Sequence, residues 1–185
     1  MFHLQDINKT WTLFLDRDGV INEEKKDDYI YHKDEFIFLP GVLDAMPVFE
    51  KHFNKIIIVT NQRGIGRKRM TEKSLHAIHE FMLSEIKKFG GHIDKVYFAP
   101  DLDDFAINRK PNPGMALQAQ QDFPEIDFSK SIIAGNKLSD MRFGRNAGMH
   151  TVFIATTHPE TPYPHADIDF RYDSLYDFAN AILER

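Results

Sequence analysis

A chain of 185 residues, 42% hydrophobic and 28% charged, has the length and composition of one soluble globular domain with a proper core. The formal net charge of −5 argues against a protein that coats nucleic acid, and the lack of cysteine excludes disulfides, thiolate zinc sites and a cysteine nucleophile. No apolar stretch approaches the roughly 20 residues that span a bilayer, and residues 1–6 lack the basic and apolar regions of a signal peptide. The expectation is a cytoplasmic protein without membrane or nucleic-acid partners, monomeric or weakly self-associating.

The first apolar run, 11–15, ends abruptly in Asp16-Arg17-Asp18-Gly19. That is the pattern of a buried strand delivering two carboxylates to its carboxyl end, where open α/β sheets bind ligands. After a long connection, 22–38, a helix is predicted over 42–53 with Leu43, Met46, Phe49 and Phe53 on one side. Pro47 fits it only if it falls in the first turn. Residues 55–60 form a second strand, and the unbroken Ile56-Ile57-Ile58-Val59 suits a strand covered on both faces. The basic turn Arg63-Gly64-Ile65-Gly66-Arg67-Lys68-Arg69 lacks the Gly-Lys-Ser/Thr ending of a P-loop. It reads as a solvated turn, as a substrate-phosphate contact through Arg67, or as a nucleic-acid patch.

Thr71 is placed to cap a helix running to Phe89, with Leu75, Ile78, Met82, Ile86 and Phe89 on its apolar face and Gly90-Gly91 ending it. His76 and His79 on that helix lack a third metal ligand and read as surface or boundary residues. A strand at 93–99, an acidic loop at 100–108 and a helix at 114–121 follow. Then come a strand at 131–135, a helix at 140–147 closed by Gly148, and a strand at 150–155. A loop at 156–166 and a short strand at 167–170 lead to a last helix, capped by Ser174, with Leu175, Phe178, Ile182 and Leu183 facing in. The alternation predicts a three-layer α/β/α sandwich on a mostly parallel, doubly wound sheet. Residues 1–185 make one domain, without insertions long enough for a cap.

Four strand ends carry polar residues suited to the same chemistry. They are Asp16 and Asp18; Thr60, Asn61 and the basic turn; Arg109 and Lys110; and Asn136, Lys137 and Asp140. A parallel sheet places all of them along one edge. Phosphoryl transfer needs such a set, because charge spread over the equatorial oxygens must be met by donors and cations. A divalent ion removes the repulsion between an attacking carboxylate and a phosphate dianion, and a second acid protonates the departing alkoxide.

Asp16-x-Asp18-Gly19 followed by Thr60, Lys110 and Gly135…Asp140 resembles the haloacid dehalogenase superfamily of phosphatases. The longer stretches narrow the likeness. Phe14-Leu15-Asp16-Arg17-Asp18-Gly19-Val20-Ile21-Asn22, Thr60-Asn61-Gln62-x-Gly64-Ile65, Arg109-Lys110-Pro111-x-Pro113-Gly114-Met115 and Gly135-x-Lys137-Leu138-x-Asp140-Met141 are similar to the branch of D-glycero-D-manno-heptose 1,7-bisphosphate phosphatases and histidinol-phosphatases. The resemblance implies strand order 5-4-1-2-3 and Mg²⁺-dependent hydrolysis of a small phosphorylated metabolite. A heptose bisphosphate is the first candidate, and histidinol phosphate or another sugar phosphate the alternative. It implies Asp16 as nucleophile, Asp18 as general acid and then base, and Thr60 and Lys110 on the transferring phosphoryl group. Asn61, Arg67, Arg109 and Lys137 would contact substrate, Arg67 on the basic turn's phosphate-contact reading. Asp16, the backbone carbonyl of Asp18, and Asn136 and Asp140 would hold Mg²⁺.

The chain departs from that branch twice. Position 136 is normally aspartate and here is asparagine, which removes a negative charge and opens the reading of a phosphate-binding protein with weakened catalysis. Asp140 is then expected to compensate at the ion. The loop at 100–108 carries Asp101-Leu102-Asp103-Asp104-Phe105 where many members have a cysteine-bearing zinc loop, so no structural zinc is expected. A nucleic-acid 3′-phosphatase is a further alternative, opposed by the acidic net charge.

Overall fold

The computed structural model describes residues 3–184; Met1 and Phe2, part of the stretch read for a signal peptide, lie outside the described residues, as does Arg185. The strands are β1 (Thr12–Leu15), β2 (Lys55–Asn61), β3 (Lys95–Ala99), β4 (Ser131–Gly135), β5 (His150–Ile154) and β6 (Phe170–Tyr172). The helices are α1 (Val42–His52), α2 (Arg63–Gly66), α3 (Glu72–Lys88), α4 (Gly114–Asp122), α5 (Leu138–Ala147) and α6 (Leu175–Leu183). All strand pairings are parallel, in the order β3-β2-β1-β4-β5-β6. This is the expected order read from the opposite edge, extended by β6 beside β5.

Strand side chains alternate between faces, and the two cores follow that alternation. Leu13, Leu15, Ile56, Ile58, Ile132, Ala134, Val152 and Ile154 pack under α1, α3 and α6. Phe14, Ile57, Val59 and Ile133 pack on the other face under α4 and α5. Both faces are covered, which explains why β2 reads as a continuous apolar run rather than an alternating one. Phe178 of α6 lies against Phe49 of α1 and Tyr172 of β6, with ring centroids 5.6 and 5.5 Å apart.

Thr71 caps α3 by accepting from the Ser74 amide, Ser174 caps α6 by accepting from Asp177, and Gly148 ends α5 in the left-handed region at φ 87°. Pro47 sits inside α1 rather than in its first turn. The helix persists because Ala45, Met46 and Phe49 are fully buried against the core. β1 starts at Thr12 because the Trp11 amide is bonded to Asn8 in a turn. β3 starts at Lys95 rather than residue 93 because the Asp94 carboxylate turns back onto the Ile56 amide and the Lys55 ammonium. The last strand lies at 170–172 rather than 167–170. Thr151 captures the Asp167 carbonyl and the Asp169 amide, drawing those residues out of the ladder. The apolar stripes run out at the helix ends, where Phe89 and Leu183 remain 50% and 53% exposed.

Candidate active site

The strand order reverses beside β1, whose neighbours are β2 and β4, so the carboxyl ends of these three strands border one crevice. β1 delivers Asp16, β2 delivers Thr60 and Asn61, and β4 delivers Asn136. Lys110 enters from the connection between β3 and α4. Its ammonium lies 2.8 Å from Asp16 Oδ1, 2.7 Å from Asp140 Oδ1 and 2.8 Å from the Val59 carbonyl. Asn61 holds the Lys110 backbone from both sides, donating to its carbonyl at 3.1 Å and accepting from its amide at 3.0 Å. Burial pushes the Asp16 carboxyl up to about 7; Lys110 opposes this, while Asp140 and Asp18 add to it. Burial works against the Lys110 ammonium too, but the carboxylates of Asp140 and Asp16 outweigh it and raise its pKa.

The second oxygen of Asp16 faces a different group. With its nitrogen on Glu24 Oε2 and Thr157 Oγ1, the Asn136 amide directs its oxygen inward, 3.2 Å from Asp16 Oδ2 and 3.3 Å from the Asp18 carbonyl oxygen; turned over, its nitrogen would donate to both. With the oxygen inward, three oxygens from β1, the turn after it and β4 meet without a donor among them. An octahedral Mg²⁺ about 2.1 Å from its ligands sets adjacent oxygens about 3 Å apart, close to these separations. The donor set suits a hard cation. Among the described residues no three His, Cys, Asp or Glu side chains gather for a metal, because the donors here are of mixed type. Gly19, at φ 82°, lets Asn136 approach, since a Cβ there would run into the Asn136 amide. Asp140, expected at the ion, is engaged elsewhere: one oxygen on Lys110, the other accepting from the Lys137 amide at 3.0 Å to cap α5. That cap is why the helix begins at Leu138 rather than Asp140.

Asp18 is held in a fan of donors. Arg17 grips both of its oxygens, Asn22 donates at 3.0 Å and Gln62 at 2.9 Å. Gln62 also donates to Thr60 Oγ1 at 2.9 Å, so the Thr60 hydroxyl proton remains free to point elsewhere. Burial raises the Asp18 carboxyl, but Arg17 and the donors from Asn22 and Gln62 prevail and hold it below the ordinary range.

The crevice is about 380 Å³, and Asp16, Asp18, Thr60, Asn61, Arg109, Lys110, Lys137 and Asp140 all line it. Arg67 does not; it is exposed beyond α2, and Arg63 at the start of that turn lines the crevice instead. Lys137 pairs with Glu24 from the 22–38 connection. At the rim, Asp104 bridges Arg63 and Arg109, with Arg109 Nε at 2.9 Å. Arg63 Nε and Arg109 Nη1 are buried with no hydrogen-bond partner among the described residues.

Comparison with known proteins places the chain in a family. The family model for polynucleotide kinase 3 phosphatase matches residues 6–179. The chain belongs to this family of the haloacid dehalogenase superfamily. A D-glycero-alpha-D-manno-heptose-1,7-bisphosphate 7-phosphatase of Campylobacter jejuni is 40% identical over 177 residues, covering 96% of this chain and 98% of its own. A D-glycero-beta-D-manno-heptose-1,7-bisphosphate 7-phosphatase of Escherichia coli K12 is 35% identical over 179 residues, 92% of each chain. The crystal structure of D,D-heptose 1,7-bisphosphate phosphatase from B. bronchiseptica with magnesium and phosphate has TM-score 0.84 and 26% identity. It covers 94% of this chain and 98% of that one.

One residue of this haloacid dehalogenase site escapes motif reading. His79, expected at the surface or boundary, is buried, with Nε2 3.1 Å from Arg17 Nη1 behind the Asp18 clamp. Burial first, then the Arg17 charge, lowers its pKa to about 3, against the opposing charge of Asp18. The unfolded chain therefore takes up a proton near pH 6.5 that the folded protein refuses until about 3. Stability is complete above pH 6.5 and declines as pH falls through that window. His79→Gln keeps a polar partner for Arg17 without the titration. At pH 5.5 it is expected to retain roughly 1.4 kcal/mol more of its neutral-pH stability than the parent, or about 3–5 °C in Tm. Parallel acid-side declines in thermal melts of the two proteins would contradict the assignment.

Proposed function

We propose that this chain, acting as one domain over 1–185, hydrolyses a small sugar bisphosphate by Mg²⁺-dependent phosphoryl transfer to Asp16, with D-glycero-D-manno-heptose 1,7-bisphosphate the first candidate. The observation that carries the reading is the division of labour on Asp16: one oxygen on the Lys110 ammonium, the other beside the Asn136 amide, which also reaches the Asp18 carbonyl. Asp16 Oδ1 or Oδ2 attacks phosphorus. Lys110 balances charge on the transferring group, and the Thr60 hydroxyl, already accepting from Gln62, donates to it. Asp16, the Asp18 carbonyl and the Asn136 oxygen would hold Mg²⁺, which would supply the positive charge that lets a carboxylate approach a phosphate dianion. The phosphate's own charge, arriving beside Asp18, raises a carboxyl that Arg17 otherwise keeps low, and so favours its proton-carrying form for the leaving alkoxide. Once the alkoxide has left, the ionised Asp18 takes a proton from water for the second step. No structural zinc enters this scheme.

A bisphosphate is favoured over a monophosphate by the relatives' names and by the two guanidinium groups, Arg63 and Arg109, that line the crevice. A phosphate-release assay across both anomers of the heptose bisphosphate, the matching monophosphate, histidinol phosphate and a 3′-phosphorylated oligonucleotide tests this. A charged hydrogen-bonding pair contributes about 1.5–3 kcal/mol, so kcat/KM is expected to be roughly 10- to 100-fold higher for a bisphosphate. Preference for the oligonucleotide would overturn the substrate class. Asn136 favours a second reading, a phosphate-binding protein without turnover. Silence on every substrate with Mg²⁺ present, relieved by Asn136→Asp, would establish it.

A further inference from the structure

We infer that Glu24 is the positioning residue that makes Asn136 a cation ligand, by fixing which end of its amide faces the Asp16 carboxylate. The inference rests on the Mg²⁺ reading above. An aspartate at position 136 would present oxygen whichever way it turned. An asparagine has two unlike ends, and turning it over places its nitrogen 3.2 Å from Asp16 Oδ2 and 3.3 Å from the Asp18 carbonyl, where it would donate to both. Those are the oxygens a cation needs, so the turned amide competes with the ion rather than binding it.

The outer end of the amide decides the orientation. It touches Thr157 Oγ1 at 2.5 Å, and a hydroxyl both donates and accepts, so Thr157 satisfies either orientation. The other outer neighbour is the Glu24 carboxylate, with Oε2 3.3 Å from Asn136 Nδ2. An ionised carboxylate only accepts, and it would repel an amide oxygen in that place. Glu24 therefore opposes the pull of the two inward oxygens on the amide nitrogen and, with a cation between those oxygens, holds nitrogen out and oxygen in. Lys137 binds the other Glu24 oxygen and keeps the side chain in position. Glu24 comes from the 22–38 connection, outside every motif that marks the site.

A plain ion pair between Glu24 and Lys137 would be indifferent to the residue at 136, and this difference supplies the test. The affinity for Mn²⁺, followed by electron paramagnetic resonance and calorimetry without substrate, is measured in four proteins: the parent, Glu24→Ala, Asn136→Asp, and the double variant. Loss of an outer partner of a metal ligand typically costs 10- to 100-fold in affinity. Glu24→Ala is expected to weaken Mn²⁺ at least tenfold more in the Asn136 protein than in the Asn136→Asp protein. Glu24→Gln, which can still offer a carbonyl acceptor, is expected to recover part of the difference. Equal losses in both backgrounds would reduce Glu24 to a general charge effect and overturn the inference. Protein with Mg²⁺ added gives an independent check: the Asn136 amide protons should show nuclear Overhauser contacts to the Glu24 γ-methylene. Amide protons directed at Asp16 would overturn the inference even if Mn²⁺ binds. No Mn²⁺ binding in any of the four proteins, with the Glu24 contacts present, would instead sink the cation reading on which it rests.

Discussion

Asp16→Asn is expected to lower turnover of p-nitrophenyl phosphate by roughly 10,000-fold or more while leaving the protein folded. An amide oxygen is a poor nucleophile toward phosphorus, and the substitution also removes one charge from the oxygen cluster, so both the attacking group and the cation's seat are impaired. Stability should change little. Lys110 keeps Asp140 at 2.7 Å as a counter-charge, and the carboxylate removed is one that burial already disfavours. Steady-state kinetics and a thermal melt on the same preparation check both halves. Activity within tenfold of the parent would remove Asp16 from the nucleophile's role.

Lys110→Met should damage both activity and stability, and that pairing separates it from the first variant. The ammonium is nearly fully buried, and its partners Asp16 and Asp140 are 9% and 2% exposed. Removing it leaves two buried carboxylates without a cation. Breaking a buried pair by deleting one partner typically costs about 3–5 kcal/mol, which for a domain of this size lowers Tm by roughly 6–20 °C. Turnover should fall by roughly 100- to 10,000-fold, because charge on the transferring phosphoryl group is no longer balanced. Adding Asp140→Asn to Lys110→Met relieves one of the two orphaned charges, so Tm should recover in part while turnover does not. A Lys110→Met protein with unchanged Tm would show that the three charges do not share a buried site.

The sheet and the inner ring of the site were legible because both obey strand periodicity. Apolar runs that stop dead at Asp16, Thr60 and Asn136 mark strand ends, and a parallel sheet sets strand ends along one edge. Lys110 was legible from its motif, although its distance from Asp16 was not. The outer ring follows no such rule. Glu24 and Asp104 lie on connections whose paths depend on tertiary packing, and their partners stand 113 and 41 residues away in the chain. In the basic turn Arg67 was the residue expected on phosphate, but α2 turns Arg63 toward the crevice and leaves Arg67 in solvent. His79 did carry a signal. It falls between Leu75, Ile78 and Met82 on the buried stripe of α3, so its burial could have been read from helical spacing. The motif marks Asp140 near the ion but does not say that its oxygens also bind Lys110 and cap α5.

Passage of phosphate through Asp16 is central to this mechanism, and trapping that intermediate tests it most directly. Asp18→Asn with p-nitrophenyl phosphate and Mg²⁺ is the protein to use. The nitrophenolate leaves without an acid, whereas the water that attacks the intermediate has lost its base, so the acyl phosphate should accumulate. Borohydride quenching followed by peptide mass spectrometry should then find residue 16 reduced to homoserine, only when Mg²⁺ and substrate are both present. Continued turnover with residue 16 unmodified, or label on a different carboxylate, would contradict the mechanism.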